Sequence, residues 1–261
     1  ASWPALVRPN TRAIYVESLT NPLLQVADLE AVIQFAREHH LVSLIDNTFA
    51  TPVNFQPIEH GFDLVLHSAT KYLNGHSDIV AGAVIGSRHW IERITHRLNH
   101  LGGSLDPHAA FLLDRGLKTL VLRIRHQNAA AQHIAERLQR HPAVRRVNYA
   151  GLASHPRHER ARRLFGGFSG MLSFEVKGGA DAAERFMAHT TLPIIAPSLG
   201  GAETLLTRPA LTSHAGMDPE QRRRAGISDG LIRMSVGLES PEDIVDDLLQ
   251  ALETTAVSKT L

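Results

Sequence analysis

The chain has 261 residues, with 27 Lys plus Arg against 26 Asp plus Glu, a net charge of +1 and no cysteine. That balance excludes a general electrostatic pull toward nucleic acid or an anionic membrane surface, and the missing cysteine excludes a disulfide framework, a thiolate metal site and a cysteine nucleophile. The 43% hydrophobic content suffices for one large domain or a large and a small one, while no apolar run approaches the roughly 20 residues of a membrane span.

The first segment, ASWPALVRPNTR, lacks the charged-then-apolar order of a signal peptide and has no initiator methionine, so the natural N-terminus is expected to lie elsewhere. AIYVES (13–18) has the pattern of a buried strand. A helix is expected from about Asp28, because Leu29, Val32, Ile33 and Ala36 recur at the i, i+3, i+4, i+7 spacing of one helical stripe. LVSLI (41–45) is a second apolar strand that ends at Asp46; FDLVLH (62–67) is a third that ends at a Ser-Ala-Thr-Lys turn; AGAVIG (81–86) is a fourth. Apolar strands alternating with a helix imply a mostly parallel sheet covered on both faces, hence an α/β domain. Residues 106–140 are expected to be helical throughout, as a long connector.

Beyond it the pattern changes. VRRVNY, MLSFEVKG and LIRMSVGLE alternate like half-buried strands, with DAAERFMAH as a helix between them. A last helix begins with Ser240 as cap, Pro241 in the first turn and Asp243 to close a capping box. The division is therefore into a large α/β domain with its connector, 1–140, and a smaller α+β domain, 141–261.

The Arg-rich patches (Arg157, Arg160, Arg162, Arg163; Arg222–Arg224) have the look of solvated faces. His96 and His100 have the i,i+4 spacing of a helical metal pair, and His155 and His158 lie three apart, but no acidic third ligand stands at a useful distance, and no metal site is expected. The absence of cysteine suits the cytoplasm.

Lys71 stands in HSATKYLNGHSDIVAG (67–82), among Ser, Thr, Asn, Gly and His. Ligands of open α/β sheets collect beyond the carboxyl ends of the strands, and both Asp46 and Lys71 fall there. An amine at such a mouth can condense with a carbonyl to a Schiff base. If that carbonyl belongs to pyridoxal phosphate, a carboxylate such as Asp46 is needed to keep the pyridine nitrogen protonated, and Ser68 and Thr70 offer donors for the phosphate. The plainer alternative is an ion pair between Lys71 and Asp78. Arg233 stands in an alternating segment: in LIRMSVGL the pattern puts Ile232, Met234, Val236 and Leu238 on one face and Arg233 with Ser235 on the other. An arginine flanked by apolar residues needs an anion, and its planar fork suits a carboxylate bidentately, a substrate's or a structural partner's.

The segments DNTFATP (46–52), SATKYLNGHSDIVAG (68–82), ESLTNP (17–22), GLASHPRHERA (151–161), GFSGMLSFEV (167–176), APSLGGAETL (196–205) and GISDGLIRMSVGLE (226–239) together resemble, in order and over nearly the whole chain, the cysteine and methionine metabolism family of pyridoxal-phosphate enzymes. The resemblance implies the fold type I architecture of these transferases and lyases: a large mostly parallel-sheet domain and a smaller C-terminal α+β domain. It implies pyridoxal 5′-phosphate held as a Schiff base by Lys71, Asp46 on the pyridine nitrogen, Ser68 and Thr70 on the phosphate, and Asn21 near the ring oxygen and the substrate carboxylate. It gives Arg233 and Ser198 to that carboxylate, and places Glu203 near the site or in a structural role.

The resemblance further implies a dimer of dimers with shared active sites, an amino-acid substrate, and chemistry at the γ-carbon as in cystathionine γ-synthase or γ-lyase. Ala196-Pro197-Ser198 is similar to the plant-type synthases. Cystathionine β-lyase, methionine γ-lyase, O-acylhomoserine sulfhydrylase and a non-catalytic interaction module are the alternatives. The family's ring-stacking tyrosine, Gly-Met phosphate turn and Tyr-x-Arg pair have no match here, so an N-terminal portion is expected to be missing.

Overall fold

The computed structural model describes residues 3–257. The first half builds a four-stranded sheet: β1 (Ala13–Glu17), α1 (Leu29–Glu38), β2 (Val42–Asp46), α2 (Thr51–Asn54), α3 (Pro57–His60), β3 (Leu64–Ser68) and β4 (Gly82–Gly86). Strand order is β1-β2-β3-β4, parallel from β1 to β3, with β4 antiparallel at the far edge. The helix expected from Asp28 forms, because the Asp28 carboxylate accepts the Ala31 N–H at 3.2 Å and caps it, and it buries Leu29, Val32, Ile33 and Ala36 as the stripe requires. The flanking strands are not buried on both faces: Tyr15 is 58% and Ile85 44% exposed, because β1 and β4 are edge strands with a neighbour on one side alone.

Three helices follow: α4 (Arg88–Leu101), α5 (Pro107–Leu117) and α6 (Leu120–Arg140). The connector is thus broken in two at Lys118–Thr119 rather than helical throughout. Gly116 lies flat on the Asn74 backbone, where a Cβ would overlap the carbonyl, and the Thr119 hydroxyl donates to Gly116 O at 3.2 Å, so the chain turns there. No residue of α4 is buried, although Trp90, Ile94, Leu98 and Leu101 recur along it at helical spacing.

The second half comprises β5 (Val144–Asn148), α7 (His158–Leu164), β6 (Met171–Val176), α8 (Gly179–His189), β7 (Ile194–Ile195), β8 (Leu205–Thr207), α9 (Pro219–Arg224), β9 (Leu231–Ser235) and α10 (Pro241–Val257). Its sheet runs β5-β6-β9-β8-β7. Helices α6, α8 and α10 cover one face through Ile134, Leu138, Phe186, Ile244 and Leu248 against Leu172, Phe174, Ile232 and Met234. Strands β6 and β9 are buried along their whole length, not half-buried. Their second face, with Met171, is packed against the core of the first half, which includes Ala69 and Tyr72. That packing brings Arg233 to the mouth of the first sheet.

The basic patches are mostly ion-paired, Arg160 to Asp28 at 2.6 Å and Arg162 to Glu159 at 2.9 Å. Arg222 departs from the expected solvated face: it is 9% exposed because Asp229 draws its guanidinium inward at 2.6 Å. Among the described residues no group of His, Asp and Glu has the arrangement of a metal site, and no helix is long and apolar enough to cross a membrane.

Candidate active site

Asp46 ends β2 and Ser68 ends β3, so both stand at the carboxyl edge of the first sheet. From Ser68 the chain turns back on itself: Lys71 N–H donates to Ser68 O at 3.1 Å, and Gly75 N–H donates to Lys71 O at 2.8 Å. The turn projects Lys71 over the sheet edge, where its Nζ donates to Ser198 Oγ at 2.7 Å. Asp78 is occupied otherwise, accepting the Asn74 side-chain amide at 2.7 Å. The ordinary ion pair is not what Lys71 makes. Burial, and secondarily the Arg233 charge, push the Lys71 amine below its usual range.

Ser198 is held by the loop before β8 with φ at +97°, a left-handed conformation that a non-glycine residue adopts at some strain. Gly200 follows at φ +77° with its α-carbon pressed on the Tyr72 backbone, so this loop and the Lys71 turn are in direct contact. Arg233 enters from β9, 5% exposed. Its Nη2 donates to Ser198 O at 2.8 Å and its Nη1 to Asn21 Oδ1 at 3.2 Å, while Nε is buried without a partner. Asn21 is oriented in turn by its own N–H, which donates to Glu17 Oε2 at 3.1 Å. Lys71, Ser198, Arg233 and Asn21 therefore form one continuous hydrogen-bonded chain.

Asp46 and Ser68 form a second group, joined by Thr48. The Thr48 N–H donates to Asp46 Oδ1 at 2.9 Å, and its hydroxyl accepts the Ser68 N–H at 2.8 Å. Tyr15 donates to Asp46 Oδ2 at 3.2 Å; partial burial and the Asp46 charge push its phenol up to about 12. Thr70 spends its hydroxyl on Ala81, donating to the carbonyl at 3.1 Å and accepting the N–H at 2.9 Å, so service to a phosphate requires that hydroxyl to turn away. Glu203 is exposed and outside both groups.

The residues present fit the cofactor. A buried guanidinium resting on two neutral oxygens, with no carboxylate partner among the described residues and an orphaned Nε, is a site short of an anion. An amine held below its usual range and a carboxylate at the end of the adjacent strand supply the other two chemical requirements. Sequence reasoning missed Tyr15, Glu17 and Thr48. The sequence shows only that Tyr15 and Glu17, two apart, share a strand face; the register that sets Glu17 beside Asp46 comes from the fold.

The sequence matches the family described as Cys/Met metabolism PLP-dependent enzyme over residues 1–253. The chain belongs to this family. It is 46% identical over 95% of its length to the cystathionine gamma-lyase of Bacillus subtilis (strain 168), covering 65% of that protein, and 47% identical over 97% to the L-methionine gamma-lyase of Pseudomonas putida, covering 64%. Among solved structures, the cystathionine gamma synthase from Xanthomonas oryzae pv. oryzae in complex with cystathionine superposes with a TM-score of 0.92 at 43% identity, over 95% of this chain and 64% of that one. The chain thus spans just under two thirds of the length of each of these relatives. The α/β architecture with its mixed second sheet is that of these fold type I enzymes.

Proposed function

We propose that this protein uses pyridoxal 5′-phosphate on Lys71 to form or break a C–S bond of a sulfur amino acid by γ-elimination or γ-replacement, as a cystathionine γ-synthase or cystathionine γ-lyase. The observation that carries the proposal is the chain from Lys71 Nζ through Ser198 and Arg233 to Asn21, which puts a base and a carboxylate receptor side by side. When bound, pyridoxal phosphate supplies an electron sink conjugated to the substrate α-carbon. Asp46 would keep the ring nitrogen protonated, and Ser68 and Thr70 would donate to the phosphate. Arg233 exchanges its neutral acceptors for the substrate α-carboxylate, which its fork takes bidentately with help from Asn21 and Ser198.

A γ-reaction needs protons removed at the α-carbon and then at the β-carbon, so one mobile base must reach both. Lys71 suits this: its lowered amine pKa raises the fraction present as free base, and its flexible stem spans both atoms. The similarity of Ala196-Pro197-Ser198 to plant-type γ-synthases supports chemistry on cystathionine. A division into residues 1–140 and 141–261 belongs to the same proposal; its support is that β1–β4 and β5–β9 form two separate sheets.

A dimer of dimers with sites shared between subunits belongs to the same proposal. Its support is the exposed apolar surface of Leu98, Leu101, Leu105 and Phe111 beside the connector, and the absence of any arginine from residues 60–82 to balance the phosphate charge. Work in the cytoplasm is proposed on the lack of cysteine.

The test is product analysis of the purified protein given cystathionine, O-acylated homoserine with cysteine, and methionine in separate reactions. Turnover at the γ-carbon of cystathionine, or its synthesis, supports the proposal. Pyruvate from cystathionine, faster turnover of methionine, or direct sulfhydrylation moves the assignment to another branch. A colourless, inert protein assigns it to a non-catalytic module.

A further inference from the structure

The Lys71 turn and the Ser198 loop come from segments far apart in the sequence, yet Lys71 Nζ and Ser198 Oγ stand 2.7 Å apart. Helix α6 reaches both places with two buried polar side chains one turn apart, at the i,i+4 spacing that puts them on the same face. Arg123, 5% exposed, donates from Nη1 to Tyr72 O at 2.8 Å and from Nη2 to Leu73 O at 3.4 Å and Gly116 O at 2.8 Å, with Nε on Thr119 Oγ1 at 3.0 Å. Tyr72 and Leu73 follow Lys71 directly. Gln127, fully buried, donates from Nε2 to Gly201 O and to Val236 O, both at 3.0 Å. Those carbonyls lie just beyond Ser198 and Arg233.

We propose that Arg123 and Gln127 are positioning residues: together they fix the distance between the Lys71 turn and the loop and strand that carry Ser198 and Arg233. The helix that bears them is a rigid body, since its first turns, with Leu120 and Ile124, belong to the core of the first half and its later turns, with Ala131, Ile134 and Leu138, to the core of the second.

Three features favour positioning over simple core filling. Arg123 has no carboxylate partner among the described residues, and its charge rests on three backbone carbonyls and the Thr119 hydroxyl. That makes its contribution directional rather than neutralising. Its guanidinium also lies so close to Gly75 that a Cβ there would collide with it, which pins the end of the Lys71 turn as well as its middle. Gln127 leaves Oε1 buried and unpartnered, a desolvation penalty that an apolar side chain of similar size avoids. Its two donated bonds tie the Ser198 loop to the segment that follows β9.

This inference rests on Lys71 being the working amine, so its test uses a reagent that needs no cofactor. The purified protein, and its Arg123→Lys and Gln127→Met variants, are freed of any bound aldehyde with hydroxylamine, dialysed, and treated with trinitrobenzenesulfonate across a range of pH. Peptide mapping then gives a reactivity midpoint for Lys71, with Lys118 and Lys177 as internal references, and urea unfolding checks that each variant is folded. Parting the loops hydrates Lys71 and takes it away from Arg233; both effects favour the charged amine. The Lys71 midpoint should therefore rise by about half a pH unit or more in each variant, with the two references unmoved.

A folded variant whose Lys71 midpoint stays within about 0.2 unit of the parent removes that residue from the pair and overturns the two-point arrangement. If one variant does not fold, the other decides. If neither folds, the pair belongs to the core and the proposal is overturned. Failure of Lys71 to take up pyridoxal phosphate would instead count against the proposed function, since no cofactor enters this measurement.

Discussion

His67 makes the stability of the fold depend on pH in a defined window. It lies on β3, 5% exposed, beside a cavity of about 400 Å³ walled by Phe55, Val65, Leu73 and Ile85. Burial pushes its ring from the ordinary 6.5 down to about 4, against a weaker opposing pull from Asp46. The folded protein therefore keeps the ring neutral where the unfolded chain binds a proton. Stability is complete above about pH 6.5, falls as pH drops from there to about 4, and levels off below. The full gap corresponds to about 3 kcal/mol, of which about 1 kcal/mol is already lost at pH 5.5. His141, His155 and His214 are also lowered by burial and act in the same direction, so the contribution must be isolated by difference. His67→Gln keeps a neutral polar side chain that does not titrate. Urea unfolding of both proteins at intervals between pH 7 and pH 4 should show the parent losing about 3 kcal/mol more than the variant. Parallel curves would refute the assignment of a neutral buried ring.

Gly116→Ala should destabilise the protein by more than about 2 kcal/mol in urea, because the new Cβ meets the Asn74 backbone, which cannot rotate away; a loss under about 0.5 kcal/mol would mean that the α5 end and the Lys71 turn are not in contact. Asp46→Asn keeps the shape and removes the charge, so turnover should fall about ten- to a hundredfold, as expected for one charge-assisted hydrogen bond. A rate within about twofold of the parent would remove Asp46 from its role. Arg233→Lys keeps the charge but loses the fork, so KM for the amino acid should rise about tenfold or more with a smaller change in kcat; an unchanged KM would leave Arg233 a structural residue.

Much of this was legible because it is local. The stripe of α1 and the Asp28 cap are read from eleven consecutive positions, residues 28–38. The last helix likewise starts at Pro241 as its sequence indicates, with the Asp243 N–H on Ser240 Oγ at 3.4 Å. Asp46 and Lys71 stood out because β2 ends at Asp46 and β3 ends shortly before Lys71, and Arg233 because a lone cation interrupts an alternating strand. What was not legible depends on contacts distant in sequence. The break between α5 and α6 is made by Asn74 and Arg123 acting on Gly116. Arg222 is buried by Asp229 across a turn, and β6 and β9 are covered on their second face by the other half of the chain. Strands β7 and β8 are two and three residues long, too short for any periodicity. The hydrogen bond from Tyr15 to Asp46 spans two strands and needs the register before it can be seen.

The central claim is that Lys71 is the residue that holds the cofactor, and borohydride trapping tests it most directly. The purified protein is equilibrated with pyridoxal 5′-phosphate, reduced, digested and mapped by mass spectrometry, in parallel with Lys71→Ala. The account predicts a yellow protein, a reduced pyridoxyl group on Lys71 alone, and neither colour nor label in the variant, whose unfolding curve remains close to that of the parent. A stable label on Lys118 or Lys177 with Lys71 unmodified, or a variant that traps the cofactor as well as the parent does, would contradict it.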